Sequence, residues 1–121
     1  MATWSVLLLP AMRILITGAA GMLGHDVVDA AAAHDAIALS RADLDITDER
    51  AVPAAVAQAR PDVVVNCAAW TDVDGAESAP DQALAVNGVG AGVVAAMAAG
   101  YGAWTIHVSS DYVFDGHKGS P

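Results

Sequence analysis

Between Thr17 and Gly24 the chain reads Thr-Gly-Ala-Ala-Gly-Met-Leu-Gly, with glycine at every third position. Such a segment does its chemistry through the main chain. Gly18 can make a tight turn, Gly21 lets the backbone approach a pyrophosphate, and Gly24 allows close packing of helix on strand. Helical periodicity begins at Met22, so unpaired amide hydrogens at a helix start would face the anion, where the helix dipole favours negative charge. A flexible loop would carry the same glycines. This one, however, directly follows the strand-like run Arg13–Thr17 and opens a helix, which is the setting a dinucleotide requires.

Further along, Ser40-Arg41 closes the apolar run 36–39. An acidic residue there would bind a ribose 2′-hydroxyl and repel a 2′-phosphate. A hydroxyl beside a cation favours NADPH, with NADH as the alternative. Arg41 could also simply point into solvent. Asp45 could serve as a turn former, and Trp70 as packing surface. Cys67 reads as a small apolar residue, not a nucleophile. His25, His34, His107 and His117 show no metal-ligand pairing, so no metal is expected. Asn87 reads as structural.

The elements that must position these residues alternate. Residues 13–17 read as a strand. Residues 22–33 read as a helix, with Leu23, Val27 and Ala31 inward and His25, Asp26 and Asp29 outward. Residues 36–39 form a second strand. Thr47 is the expected N-cap of the next helix, with Asp48 and Glu49 at its positive end and Val52, Val56 and Ala59 as its buried stripe. Pro53 implies a later start for that helix. Residues 62–66, Asp-Val-Val-Val-Asn, have the β-branched character of a strand buried on both faces. Ser78-Ala79-Pro80-Asp81 resembles a capping box opening a helix to about Ala99, with Gly100 as its stop and Gly88, Gly90 and Gly92 permitting close packing. Residues 103–109 give a fourth strand. Four such strands imply a three-layer, doubly wound parallel α/β sheet with helices on both faces, truncated after the fourth strand, and ligands beyond the strands' carboxyl ends.

Composition narrows the function classes. The 121 residues suffice for one domain, 55% of them are hydrophobic, and mean hydropathy is +0.46, so a core is affordable and disorder is not expected. With a net charge of −9 and five basic residues, the chain has no footprint for nucleic acid or an anionic membrane. A single cysteine excludes an internal disulfide and suits a reducing, cytoplasmic setting. Residues 1–11 lack the basic start of a signal peptide and read as an extension outside the fold.

Taken together, the G-x-x-G-x-x-G spacing, Leu-Asp-Ile-Thr-Asp at 44–48, the stretch 60–77, Ala-Val-Asn at 85–87 and Val-Ser-Ser-Asp-Tyr-Val-Phe-Asp-Gly at 108–116 resemble the dTDP-4-dehydrorhamnose reductase branch of the extended short-chain dehydrogenase/reductases. The resemblance covers residues 12–121 and implies a Rossmann-type fold. It also implies NADPH- or NADH-dependent reduction of a 4-keto nucleotide sugar. Carried over residue by residue, Gly21, Met22 and Leu23 would line the pyrophosphate, and Asp45 and Ile46 would border the adenine. Ala69, Trp70 and Thr71 would flank the cofactor, and Val108 would end the fourth strand near the nicotinamide. Ser110 would be the catalytic hydroxyl that orients the carbonyl, with Asp111 its neighbour on the substrate side.

The same family uses a tyrosine, followed four residues later by lysine, as proton donor. Neither Tyr101 nor Tyr112 has lysine at that spacing, and the pair is expected beyond Pro121. The chain alone is therefore expected to be inactive, and the dTDP-sugar pocket to need a C-terminal part. The free edge of the fourth strand invites homodimerisation. A non-catalytic binding module, like the methionine adenosyltransferase regulatory subunit, and a truncated product without function are the competing readings.

Overall fold

The computed structural model describes residues 10–120. Most of the expected N-terminal extension, residues 1–9, therefore lies outside the described residues. Met12 leads into the sheet, its carbonyl accepting from the Asp35 amide at 2.9 Å.

Four strands alternate with helices: β1 (Arg13–Thr17), β2 (Asp35–Leu39), β3 (Val63–Asn66) and β4 (Trp104–His107). All pairings are parallel, in the order β2-β1-β3-β4. The chain steps from β1 to one side and then crosses to the other, so the winding reverses between β1 and β3. The carboxyl ends of these two strands therefore flank a crevice, the place where open α/β sheets hold their ligands.

Strand parity sorts the core into two layers. On one face Leu15 and Val64 pack with Leu44, Ile46, Val52, Val56, Ala59, Val94 and Ala98. On the other, Ile14, Ile16 and Val65 pack with Ala31 and, less deeply, Val27 and Val28. Helix α1 (Met22–Ala30) covers the second face. The first is covered by α2 (Ala51–Ala59) and α4, a continuous helix Pro80–Gly100. Mean hydropathy of 1.7 makes α4 long and apolar enough to cross a membrane, yet its Val94 and Ala98 sit in the core.

Several local expectations are corrected. Leu23 is exposed; Gly24 and Ala31 are buried and Val27 and Val28 half-buried, because the helix turns its glycine toward the loop beneath it. Helix α1 ends at Ala30, short of residue 33. Thr47 does not cap α2. Its amide and hydroxyl both donate to Asp45 Oδ1, at 2.9 and 2.7 Å. Asp48 Oδ1 accepts from the Arg50 and Ala51 amides instead, at 2.9 and 3.2 Å. The helix does start late, at Ala51, which puts Pro53 in the first turn, where an amide has no intrahelical acceptor.

Ser78 does not open a capping box. It ends an extra short helix, α3 (Val73–Ser78), and its hydroxyl donates back to the Asp74 carbonyl at 3.5 Å. Asp72 is the N-cap of α3, accepting from the Gly75 amide at 3.0 Å. The six residues Ala85–Gly90 of α4 form a π turn, and of Gly88, Gly90 and Gly92 only Gly90 has a tertiary packing role. A Cβ there would come within 3.0 Å of the Ile46 carbonyl, one at Gly88 would meet the helix's own Leu84 side chain, and Gly92 faces open space.

Candidate functional site

The glycine loop owes its shape to two positions. Gly18 adopts φ +61, and a Cβ on it would lie 2.6 Å from the Ala68 amide nitrogen, so both conformation and space call for glycine. A Cβ on Gly24 would overlap the Gly18 carbonyl oxygen. The close approach expected of Gly24 is real, but it brings the helix onto the loop rather than onto the strand. Gly21 is the N-cap of α1, extended at φ −73 and ψ 171. No side chain caps the helix, and its first bonded amide is that of His25, donating to the Gly21 carbonyl at 2.9 Å. The amides of Met22, Leu23 and Gly24 therefore have no acceptor within the helix. The first turn of α1 contains no acidic residue, so its positive end is uncompensated in a chain of net charge −9.

Gly18, Ala20 and Gly21, immediately before these amides, border a hollow of about 400 Å³ at the β1–β3 crevice. Of the residues expected to meet a cofactor, Gly18, Gly21, Arg41, Asp45, Ile46, Ala69, Trp70 and Thr71 all line it. Met22, Leu23, Gly24, Ser40 and Val108 do not. Met22 and Leu23 are exposed at the start of α1, and Gly24 is buried against the glycine loop. Sequence reading missed Ala20, Leu44, Cys67, Ala68, Asp72 and Val86, which complete the wall. Four of these directly adjoin residues that were expected, and Val86 comes from the π turn, for which the sequence carries no signal.

Each wall is pinned by polar contacts. Asp45 does double duty: it borders the hollow while Oδ1 closes the turn on Thr47, and those two hydrogen bonds hold its carboxyl below the usual range. The loop after β3 is clamped by Asn87, whose Oδ1 accepts from the Trp70 amide at 2.8 Å and whose Nδ2 donates to the Trp70 carbonyl at 3.1 Å. Trp70 Nε1 donates to the Asp72 carbonyl at 2.8 Å, fixing the indole. Below the hollow, Thr17 Oγ1 donates to Asn66 Oδ1 at 2.6 Å, and the Ala68 amide reaches the same oxygen at 3.3 Å. Asn66 Nδ2 lies 3.2 Å from His107 Nδ1. Thr17 and Asn66 are each 1% exposed, so the network is buried where it ties β1 to β3 and reaches the surface only at the exposed His107 of β4. Burial pushes the Cys67 thiol up, as suits an inert packing residue.

The residues expected to act on substrate lie elsewhere. Strand β4 ends at His107, so Val108 is an exposed residue beyond it and not its last member. Ser110 caps the 3-10 turn Asp111–Val113, its Oγ accepting from the Tyr112 amide at 3.3 Å. Asp111 borders a separate hollow of about 410 Å³ with Phe114, Asp115, Gly116, Lys118 and Ser120. His25, Asp26 and Asp29 do come within 4.8 Å of one another, but all three are exposed on α1 and nothing else marks a metal there.

A reversed-winding parallel sheet, a glycine loop at its crevice and an uncapped helix start define the dinucleotide-binding Rossmann class. Comparison with known proteins takes this further. The profile described as the RmlD substrate binding domain matches residues 12–121, and the chain belongs to that family, in its dTDP-4-dehydrorhamnose reductase branch. It is 51% identical over 114 residues to dTDP-4-dehydrorhamnose reductase of Streptomyces griseus, covering 93% of this chain and 38% of the relative. With the Mycolicibacterium smegmatis reductase it shares 53% over 106 residues, or 86% of this chain and 32% of the relative. The chain thus spans well under half the length of these relatives. The crystal structure of the Bacillus anthracis reductase in complex with NADP superposes with a TM-score of 0.85 at 35% identity, over 92% of this chain and 40% of that one.

Proposed function

We propose that this chain is the cofactor-holding portion of an NADPH-dependent enzyme that reduces dTDP-4-dehydro-L-rhamnose to dTDP-L-rhamnose. The observation that carries the reading is the uncapped start of α1 opening onto the crevice hollow. Main-chain donors converge there in an otherwise acidic molecule, and a diphosphate is the ligand they suit. The fit holds in space as well: a Cβ at Gly21 would meet only the Gly18 carbonyl, at 3.4 Å, so the loop leaves the region above it open. When bound, the nicotinamide cofactor supplies a hydride to the C4 carbon of the sugar.

In this reading Gly21, Met22 and Leu23 line the pyrophosphate, with the free amides at the start of α1 donating to it. Arg41 attracts a 2′-phosphate, with NADH as the alternative cofactor. Asp45 and Ile46 wall the adenine end, and Ala69, Trp70 and Thr71, held by Asn87, wall the other side. Ser110 orients the sugar carbonyl: its oxygen already accepts from the Tyr112 amide, which leaves the hydroxyl hydrogen for the substrate. Proton donation belongs to a tyrosine–lysine pair for which these residues offer no candidate. Turnover therefore needs further polypeptide, and binding does not. A reducing cytoplasmic setting agrees with the lone, half-buried Cys67.

The test is a fluorescence titration with NADPH. Gly21→Asp sets a carboxylate against the pyrophosphate and is expected to weaken binding by at least about a hundredfold. Equal affinity in the variant would refute the assignment.

A further inference from the structure

We propose that Asp43 is a specificity-determining residue of the dinucleotide site, occupying the two donors that a 2′-phosphate would use and so holding the preference between NADPH and NADH narrow. This rests on the dinucleotide reading above and adds to it a residue that the glycine loop and the strand ends do not reveal.

The argument begins at the end of β2. The Ala19 amide donates to the Leu39 carbonyl at 3.0 Å, which stitches the glycine loop to the last residue of that strand. Ser40, the next residue, therefore stands beside the loop, and Arg41 after it lines the hollow, with Ser40 and Asp43 just outside its wall. In sheets of this topology the group at that position meets the ribose 2′ substituent. Ser40 and Arg41 alone read as a phosphate site, with a hydroxyl, an amide and a cation. The structure adds a group of the opposite sign. Asp43 Oδ2 accepts from both the Ser40 amide and the Ser40 hydroxyl, at 2.9 Å each.

Both donors are thus taken by a carboxylate of the chain itself. The Ser40 hydrogen bonds hold the Asp43 carboxyl below its ordinary range, so it is ionised at neutral pH. Among the described residues no ion pair joins Asp43 to Arg41, so its charge is not cancelled locally. A 2′-phosphate would be drawn by Arg41 yet meet a fixed negative charge and two occupied donors. A 2′-hydroxyl would find in the same carboxylate an acceptor. The turn after β2 thus presents one group suited to each cofactor, and Asp43 discriminates by penalising the phosphorylated ligand.

Asp43 also has a plain structural role in the turn, and the test must separate the two. The turn has main-chain support independent of the carboxylate, since the Asp43 and Leu44 amides donate to the Ser40 carbonyl at 3.0 and 2.8 Å. Asp43→Ala therefore removes the charge and frees the donors while leaving the turn closed. Asp43→Asn keeps an acceptor for Ser40 but removes the charge. NADPH and NADH are titrated separately against the 121-residue chain and both variants.

The expected result is a rise in the NADPH-over-NADH affinity ratio on the order of tenfold in Asp43→Ala and a smaller rise in Asp43→Asn. A purely structural role would move both affinities together and leave the ratio where it was. If the unaltered chain binds both cofactors and the ratio stays within about twofold in both variants, the inference falls while the proposed function stands. If the unaltered chain binds neither, the dinucleotide reading fails first.

Discussion

Beneath the β1–β3 crevice the strand residues are buried, and Thr17, Asn66, Asp45 and Asn87 have hydrogen-bond partners. Beyond β4 the side chains stand out from the surface. Leu15, Ile16 and Val64 are no more than 1% exposed, whereas Trp104 is 80%, Phe114 78% and Ile106 55% exposed. Strand pairing locates the difference. Val63 and Val65 align with Trp104 and Ile106, so all four share the face that α1 covers, and α1 reaches only the β3 pair. The contrast teaches that the two halves of the site differ in what they need. On the crevice side the sheet is buried beneath its helices. The side bearing Ser110 presents an apolar sheet face of the kind that a further layer normally covers. This fits a chain that spans only 38% of the Streptomyces griseus relative.

Perturbing each side in turn should sharpen the contrast. Asn66→Leu, at the crevice, removes the acceptor for Thr17 Oγ1 and the Ala68 amide while keeping the side chain's volume. Thr17 is left buried with an unmade hydrogen bond, and a loss of about 2–3 kcal/mol is expected in urea unfolding. An unchanged midpoint would show that the network does not hold the strand ends. Ile106→Ser, on the β4 side, takes an exposed apolar group to a polar one. Its stability is expected to stay within about 0.5 kcal/mol of the parent, by the same measurement. A drop as large as that of Asn66→Leu would mean that the β4 face is buried after all, and the comparison would collapse.

How much of this the sequence revealed follows the same division. The crevice was legible because local signals agree there: a β-branched run, a glycine triplet and a helical period occur in one short stretch, and backbone geometry demands each of them. The four strands and their parallel arrangement follow from that alternation. What escaped was non-local or depended on competition between similar residues. Thr47 was expected to cap α2 because it precedes Asp48 and Glu49, but Asp45 two residues earlier captures its hydroxyl, and Asp48 closes the turn that leads into the helix. Ser78 lost its expected cap to an additional helix, whose own signal is Asp72 three residues before Gly75. The Asn66–His107 contact exists only once β3 and β4 are in register. The Asn87 clamp joins residues 17 apart in the chain, and helical periodicity contains nothing to announce it.

The most direct measurement is the response of individual backbone amides to NADPH, followed by two-dimensional NMR of the 121-residue chain. The account predicts large shifts at Met22, Leu23 and Gly24, weaker ones around Arg41 and Trp70, and almost none from Tyr112 to Phe114. Shifts centred beyond β4, or a saturating titration that leaves the start of α1 unmoved, would contradict it.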